Sequence, residues 1–308
     1  MKATAVAHAN IALVKYWGKR SEAAILPEAA SLSIALDRLR TTTTVELGPA
    51  ADSLELDGAP VDPARARAVL DAAGIHDRAR IVSRNDFPTG AGLASSASGF
   101  AALATAACAA AGLRRTPQEL SALARRGSGS ASRSVAGGWA VWEGETARQV
   151  LPPEHWDLRF CVALCAAGPK STGSRDAMRI SRDTSPYHRA WIEQCRRDLP
   201  RALHMLSARD LPALGDLAEK NALRMHADML ASDPPLLYWE PATVGCLQAL
   251  RDLRRAGTQA WVTIDAGPHV VAICAPPDAK QVETLLRGVS GVKDVLVCAP
   301  AGGARVLP

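Results

Sequence analysis

Apolar and polar residues alternate along the first part of the chain, whereas in the later part apolar residues recur at a helical spacing. The alternation predicts short strands over 32–36, 41–47, 53–56, 81–83, 138–142 and 160–164. Asp57-Gly58 predicts a tight turn after the third of these strands. The helical spacing predicts helices over 187–206, 211–230 and 241–255, and the order strand, turn, strand, helix, strand follows between 260 and 298.

Residues that start and stop helices add further elements to the first part. Asp62-Pro63 predicts a helix start and Gly74 its end. Thr116-Pro117-Gln118-Glu119 is a capping-box pattern for a helix that ends at Gly127, and the glycine-rich run 86–99 opens into an alanine-rich helix. Because strands and helices fall into separate blocks, we predict an α+β fold with two domains, 1–168 and 169–308.

Composition narrows the class of protein. Of 308 residues, 48% are hydrophobic and 22% are charged, which is typical of a globular chain rather than a disordered, collagen-like or coiled-coil one. The net charge is +5, but only seven of the 36 basic residues are lysine and the arginines are scattered, so small anionic ligands suit this charge better than nucleic acid. The longest weakly polar run is mostly alanine, which predicts a buried helix and no membrane span.

The cysteines and the N-terminus bear on the compartment. Seven cysteines lie mostly in apolar runs, without a CxxC motif or a Cys/His cluster, which predicts a reducing, cytoplasmic location and no zinc site. The apolar first residues are interrupted by His8 and Asn10 and lack a small-residue cleavage site, so we expect no signal peptide.

Five polar features could carry chemistry. A glycine-rich loop that leads into a helix, as at 86–99, can bind phosphate through backbone N–H groups and the helix dipole, but close packing of small residues is an equal alternative. Segment 126–133 could hold an anion or form a solvated linker. Segment 15–19 contains two basic side chains, Lys15 and Lys19. A further cluster combines basic and hydroxyl side chains, Lys170, Ser174 and Arg175. Asp265, at the end of an apolar strand, needs a partner and is either a turn cap or a catalytic base.

Together these segments resemble one enzyme family. Segment 88–99 is similar to the phosphate loop of the galactokinase, homoserine kinase, mevalonate kinase and phosphomevalonate kinase superfamily, and segments 10–20, 126–133, 221–227 and 263–268 resemble diphosphomevalonate decarboxylase in that order. The resemblance implies ATP- and Mg²⁺-dependent conversion of mevalonate 5-diphosphate to isopentenyl diphosphate, phosphate, ADP and carbon dioxide. It also implies an N-terminal domain like the second domain of ribosomal protein S5, a ferredoxin-like C-terminal domain, an active site between them and a homodimer.

The resemblance also implies residue roles. Asp265 would accept the proton of the substrate's 3-hydroxyl group while that oxygen attacks the γ-phosphoryl group, Lys15 would stabilise the charge of Asp265, and Arg133 would orient the substrate carboxylate. The substrate-binding residues would be Asn10, Tyr16, Lys19, Ser128, Ser130, Ser174 and Arg175. Gly90, Gly92, Ala94, Ser95 and Ser96 would form the ATP side, with Ser95 or Ser96 near Mg²⁺.

The chain departs from the family pattern at three places. Ala29-Ala30 replaces a usual Asn-Ser, His269 replaces a usual asparagine, and Gly173 stands where a serine is frequent. These departures leave two related activities open, a phosphomevalonate decarboxylase and a mevalonate 3-kinase. An RNA-binding protein is the non-enzyme alternative, but it would need basic stripes interleaved with aromatic residues, and aromatic residues are only 4% of the chain. We therefore expect a small-molecule substrate, with neither nucleic acid nor membrane as a partner.

Overall fold

The computed structural model describes residues 1–87, 95–166, 168 and 172–308, and the following concerns that part of the chain. Its strands form an eight-stranded, a four-stranded and a two-stranded sheet. They are β1 (Lys2–Val14), β2 (Lys19–Ser21), β3 (Leu26–Pro27), β4 (Ser31–Leu47), β5 (Ser53–Leu56), β6 (Ala59–Val61), β7 (Ala79–Asn85), β8 (Trp139–Glu143), β9 (Thr146–Leu151), β10 (Arg159–Ala163), β11 (Ala260–Thr263), β12 (Val270–Cys274), β13 (Val295–Cys298) and β14 (Arg305–Val306).

The helices pack against the sheets and against one another. They are α1 (Ala64–Ala72), α2 (Ser95–Ala110), α3 (Pro117–Gly127), α4 (Ala131–Ala136), α5 (Ser174–Thr184), α6 (His188–Ala208), α7 (Leu211–Leu230), α8 (Pro241–Arg255) and α9 (Ala279–Arg287). The alanine-rich α2 packs on β1 and β4, where its small side chains allow a close approach to the sheet. In the described part of the chain, no helix is both long and apolar enough to cross a membrane.

Two long antiparallel strands form the centre of the large sheet. β1 pairs with β4 from Lys2 opposite Glu46 to Val14 opposite Leu32, with irregularities near His8 and Ala12. The sheet order is β14-β1-β4-β7-β5-β6, with β8 also paired to β4 and β9 to β8. β5 runs parallel to β7, and the other pairs are antiparallel.

The small sheet brings distant segments together in the order β11-β12-β10-β13, with all pairs antiparallel. β10 lies before residue 168 in the chain but is hydrogen-bonded on both sides to strands of the later part. The division at residue 168 stays a prediction. It separates β10 from its partners in the small sheet, and β14, in the later part, pairs with β1 of the large sheet.

One apolar cluster joins the two main sheets. It includes Leu13 of β1, Phe160 of β10, Leu206 of α6 and Leu214 of α7, and all four side chains are almost completely buried. Because this cluster is continuous, burial of apolar area holds the end of β1 against α6 and α7, which lie between β10 and β11 in the chain.

The sequence predicts many of these elements, and the α+β class is confirmed. Thr116 caps α3 with a complete capping box, and Asp57 and Gly58 both have positive φ in the turn between β5 and β6. The structure differs in detail at two places. The strands predicted over 32–36 and 41–47 are one strand, and the residues after Ser130, for which a solvated linker was one of two alternatives, form the buried helix α4. Strand β1 and helix α5 were not predicted.

Candidate active site

Two strand ends from different sheets meet at one ion pair. Lys15 follows β1 directly, and Asp265 stands two residues beyond β11. The Lys15 Nζ atom lies 2.5 Å from Oδ1 of Asp265 and donates a second hydrogen bond of 2.7 Å to the Ala12 carbonyl oxygen. The Lys15 side chain is 1% exposed and that of Asp265 is 24% exposed. The pair therefore joins a buried cation to a carboxylate that a ligand can reach.

Burial is the largest influence on the Lys15 ammonium. It lowers the pKa of Lys15 because the charged form loses its hydration, while the charge and hydrogen bond of Asp265 act in the opposite direction. Opposite charges at this distance attract strongly away from bulk water, so the ion pair holds the two side chains together.

Helix α7 and strand β11 fix the backbone around this pair. The backbone N–H of Lys15 donates to Oδ1 of Asn221 at 2.8 Å, and Nε2 of His226 lies 3.1 Å from the carbonyl oxygen of Asp265. Burial lowers the pKa of His226 to about 3, with the Lys15 charge acting in the same direction, so His226 is neutral near pH 7 and its ring N–H donates to that carbonyl. Thr263 Oγ1 donates to the Ala12 carbonyl at 3.1 Å.

Arg133 forms a second buried cation beside the pair. Its Nε donates to Oδ1 of Asn10 at 3.0 Å and its Nη1 to Oγ of Ser31 at 2.8 Å. Asn10 is held in turn by bonds from its Nδ2 to the Ser130 carbonyl and to Oγ of Ser134. Burial lowers the pKa of Arg133 to about 10, so the guanidinium stays charged at neutral pH. Neutral partners thus orient a full positive charge, which suits the binding of a ligand carboxylate.

These groups line one cavity of about 490 Å³. Every predicted site residue within the described part of the chain is on its wall: Asn10, Lys15, Tyr16, Lys19, Ser95, Ser96, Ser128, Ser130, Arg133, Ser174, Arg175 and Asp265. Gly90, Gly92 and Ala94 lie outside the described residues. The individual roles of these residues stay predictions.

One polar atom in the cavity wall needs a partner that the described residues do not supply. The hydroxyl of Tyr16 is buried and makes no hydrogen bond within the described part of the chain. Its ring meets that of Trp142 edge-on at 4.5 Å, and burial raises the pKa of the phenol. A buried hydroxyl without a partner costs free energy, so a ligand atom that bonds it would gain affinity.

Serine hydroxyls extend the polar wall toward α2. Ser96, Ser128 and Ser130 form a row with Oγ–Oγ distances of 3.3 and 3.4 Å. Ser128 and Ser130 lie in the short connection between α3 and α4, and Ser96 lies in the first turn of α2. Adjacent hydroxyls of this kind can donate to several oxygens of one phosphate group.

A second, smaller cavity of about 180 Å³ adjoins the first. Its wall is largely apolar, with Leu54, Leu56, Ile81, Phe100 and Leu103. Arg65, Ser95 and Ser96 belong to both cavities. A ligand with an apolar ring and an anionic chain would fit across the two, with the chain passing the serines.

Several residues that form or support this site were not predicted from the sequence. Arg65, in the first turn of α1, donates to the Gly127 carbonyl at 2.6 Å and lies over the Phe100 ring, and nothing in its local sequence separates it from the scattered surface arginines. Asn221 and His226 fall in segment 221–227, which carried the family resemblance, but their support of the Lys15–Asp265 pair appears only in three dimensions.

Of the departures from the family pattern, one lies on the cavity wall. Among the described residues that line it, Gly173 is present and Ala29, Ala30 and His269 are not. His269 is buried, and its Nδ1 accepts the backbone N–H of Cys165 at 3.1 Å. The His269 side chain, four residues beyond Asp265, therefore holds the backbone at Cys165 in place.

The donor set suits a hard cation held mainly by its ligand. Among the described residues, no group of three or more His, Cys, Asp or Glu side chains could hold a metal ion. The hydroxyls of Ser95 and Ser96 and the carboxylate of Asp265 supply oxygen atoms on the cavity wall. Mg²⁺ commonly takes one or two protein oxygens together with phosphate oxygens and water, so these residues fit Mg²⁺ that arrives with a nucleotide.

Comparison with known proteins agrees with this geometry. Residues 7–150 match the family model for a diphosphomevalonate decarboxylase-like N-terminal domain, and residues 160–298 match that for the mevalonate 5-diphosphate decarboxylase C-terminal domain. The diphosphomevalonate decarboxylase mvd1 of Aspergillus fumigatus is 33% identical over 94% of this chain and 81% of its own length. The human diphosphomevalonate decarboxylase is 35% identical over 87% of this chain and 75% of its own length.

Solved structures give the same result. The mevalonate diphosphate decarboxylase of Staphylococcus aureus superposes with a TM-score of 0.92 at 34% identity, covering 100% of this chain and 98% of that one. A structure described as MDDEF in complex with MVAPP, AMPPCP and magnesium superposes with a TM-score of 0.92 at 36% identity, covering 100% and 99%. The chain therefore belongs to the diphosphomevalonate decarboxylase family.

Proposed function

We propose that this protein catalyses the ATP-dependent decarboxylation of mevalonate 5-diphosphate to isopentenyl diphosphate. The observation that carries the proposal is the Lys15–Asp265 pair, which exposes a carboxylate to a cavity whose wall also contains Arg133 and the serine row. A base, a cation for a carboxylate and donors for phosphate are the groups that this reaction requires.

Asp265 is proposed as the general base. Its carboxylate takes the proton of the tertiary 3-hydroxyl group while that oxygen attacks the γ-phosphorus of ATP, and ADP leaves. Lys15 keeps the carboxylate charged before transfer and offsets the negative charge that gathers at the phosphoryl group. His226 holds the carbonyl of Asp265 and thereby limits the movement of the base.

Arg133 is proposed to direct the second half of the reaction. Departure of the 3-phosphate leaves positive character on the tertiary carbon, and cleavage of the bond to the substrate carboxylate supplies the electron pair for the new double bond. Asn10 and Ser31 fix the guanidinium, so the carboxylate would be held in one orientation relative to the breaking bonds.

The remaining polar groups are proposed to hold the two phosphate chains. Tyr16, Lys19, Ser128, Ser130, Ser174 and Arg175 would bind the substrate diphosphate. Ser95 and Ser96 would contact the nucleotide phosphates, and the smaller cavity would hold the base of ATP. Mg²⁺, when bound, neutralises phosphate charge, and Ser95 or Ser96 would be its contact with the protein.

The deciding experiment offers purified protein ATP and Mg²⁺ with mevalonate, its 5-phosphate or its 5-diphosphate in separate reactions. ADP and carbon dioxide are measured together. We expect both products, in equal amounts, from the 5-diphosphate. Production of ADP without carbon dioxide would make the protein a 3-kinase, and preference for the 5-phosphate would change the substrate.

We also propose that the protein is a cytoplasmic homodimer. The seven cysteines are free and buried, which suits a reducing compartment. Light scattering coupled to gel filtration would give twice the monomer mass if the dimer forms, and the mass of one chain would exclude it.

A further inference from the structure

The ammonium group of Lys19 is already paired with a carboxylate. Lys19 begins β2 and lines the large cavity, and its side chain is 3% exposed. Its Nζ lies 2.7 Å from Oε2 of Glu22, three residues along the hairpin formed by β2 and β3. An anionic ligand that uses Lys19 must therefore compete with Glu22 for the ammonium.

Glu22 has a second cation on its other oxygen. Oε1 accepts a hydrogen bond of 3.2 Å from Nη1 of Arg182, which comes from α5. Arg182 also donates from Nε to Asp183 at 2.8 Å and contacts the Lys19 carbonyl oxygen at 3.4 Å. Each oxygen of Glu22 thus has its own cation, so losing Lys19 would leave the carboxylate paired with Arg182.

The position of Glu22 allows such an exchange. Its side chain is 40% exposed, and it is not among the described residues that line the cavity. The charge of Glu22 nonetheless acts on Tyr16 in the cavity wall. Burial raises the pKa of Tyr16, Glu22 acts in the same direction, and Arg133 and Arg175 act against it. Glu22 therefore sets an opposing charge at the edge of a site whose other groups attract anions.

We infer that Glu22 is a positioning residue that holds the Lys19 ammonium before the substrate binds and releases it to the terminal phosphate of the substrate. Glu22 keeps Arg182 as its partner throughout. The inference rests on the proposed function, which assigns Lys19 to the substrate diphosphate. Exchange of one carboxylate for one phosphate keeps the buried ammonium paired at every stage, and this avoids the cost of an unpaired charge. The carboxylate consequently lowers affinity for the diphosphate without acting on the chemical step.

The test compares Glu22→Gln with Asp183→Asn. Asp183 contacts the same Arg182 but not Lys19, so its amide removes one nearby negative charge without freeing the ammonium. Calorimetry would measure the dissociation constants of mevalonate 5-diphosphate and of inorganic diphosphate. We expect Glu22→Gln to bind both about fivefold more tightly and to show a lower KM at nearly unchanged kcat, whereas Asp183→Asn stays close to the original protein.

Two outcomes would overturn the inference: unchanged or weaker binding in Glu22→Gln, or equal tightening in Asp183→Asn, which would indicate a general charge effect. Failure of the proposed function is a separate result, because it would appear as absent carbon dioxide release while the inorganic diphosphate titrations still report on Lys19.

A double-mutant cycle tests the part played by Arg182. If Arg182 retains the displaced carboxylate, Arg182→Gln weakens diphosphate binding in the original protein by about fivefold and has little effect in the Glu22→Gln background. A loss of equal size in both backgrounds would overturn the shared-carboxylate arrangement. Thermal unfolding of each variant establishes that the hairpin and its surroundings remain folded.

Discussion

At the scale of single residues, the site depends on buried charges that have specific partners. Lys15 is almost inaccessible, and Asp265 is the carboxylate that compensates it. Removing one member of a buried pair leaves the other uncompensated, which costs far more than the pair contributes when intact. A change at Asp265 must therefore be judged by its kinetic effect together with a measurement of folding.

Replacement of Asp265 by asparagine tests the general base. We expect kcat to fall by about 10²- to 10⁴-fold, because an amide cannot accept the proton in the transition state, while nucleotide affinity changes little. Steady-state turnover and ATP titration measure the two effects. Asp216→Asn is the matched control, since Asp216 pairs with Lys220 at 2.6 Å on the exposed face of α7. Turnover close to normal in Asp265→Asn would remove Asp265 from the role of base.

Arg133→Gln tests the carboxylate contact. The variant keeps hydrogen-bonding groups beside Asn10 and Ser31 but loses the charge and the planar fork of the guanidinium. We expect carbon dioxide release to fall by at least about 10²-fold in kcat, since the contact is needed as the carboxylate breaks away. Arg148→Gln, on the exposed side of β9, is the control. A rise in KM alone would reduce Arg133 to a binding contact.

At the scale of elements, the sequence predicted those helices and strands whose ends are set by residues close to them in the chain. Helix α3 is an example, because the capping box of Thr116 and Glu119 lies within four consecutive residues. Strand β1 was missed because both of its faces are largely buried and it contains small and polar residues such as Ala7 and Asn10, so no clear alternation survives. α5 was missed for a related reason, since its sequence is polar and only a narrow face is buried.

The link between α3 and α4 illustrates what composition cannot show. Segment 126–133 is rich in glycine and serine, which also suits a solvated linker, but the structure packs it tightly. A Cβ atom added at Gly129 would lie 2.7 Å from Trp142 and 2.9 Å from the hydroxyl of Tyr16. The glycine is therefore required by the close approach of two aromatic side chains at the cavity wall.

Gly129→Ala is expected to disturb this wall. The methyl group must displace Trp142 or Tyr16, and overpacking of this kind costs about 1–3 kcal/mol. We expect a lower free energy of unfolding in urea and weaker binding of inorganic diphosphate. Gly302→Ala is the control, because a Cβ there meets no atom of the described residues within 4 Å. Equal stability and affinity in the two variants would show that the wall can relax without cost.

At the scale of the whole molecule, the sequence predicted which residue types make the site but not how they meet. Lys15 and Asp265 are 250 positions apart, and no local pattern connects them. The family resemblance supplied that connection, whereas the support from Asn221, His226 and Thr263 follows from the way α7 and β11 pack against the end of β1. Contacts of this length depend on the complete fold, so short-range periodicity carries no information about them.

A second long-range contact also joins distant parts of the chain, and its strength should vary with pH. His188, at the start of α6, lies 2.9 Å from Oδ2 of Asp228 and 3.2 Å from Oε2 of Glu28. Burial disfavours the imidazolium, but the hydrogen bonds and charges of Asp228 and Glu28 outweigh it, and the pKa of His188 is raised. The folded protein therefore binds this proton more tightly than the unfolded chain does.

The stabilisation from His188 should accordingly be complete below the unfolded pKa of about 6.5 and should disappear as the pH rises through the higher folded value. We expect His188→Gln to lower the free energy of unfolding in urea more at pH 6 than at pH 9. His204→Gln, an exposed histidine on the same helix, should show no such difference. A loss that stays constant between the two pH values would mean that His188 contributes through packing and neutral hydrogen bonds. Its charge would then not hold Glu28, the residue after β3, to α6 and α7.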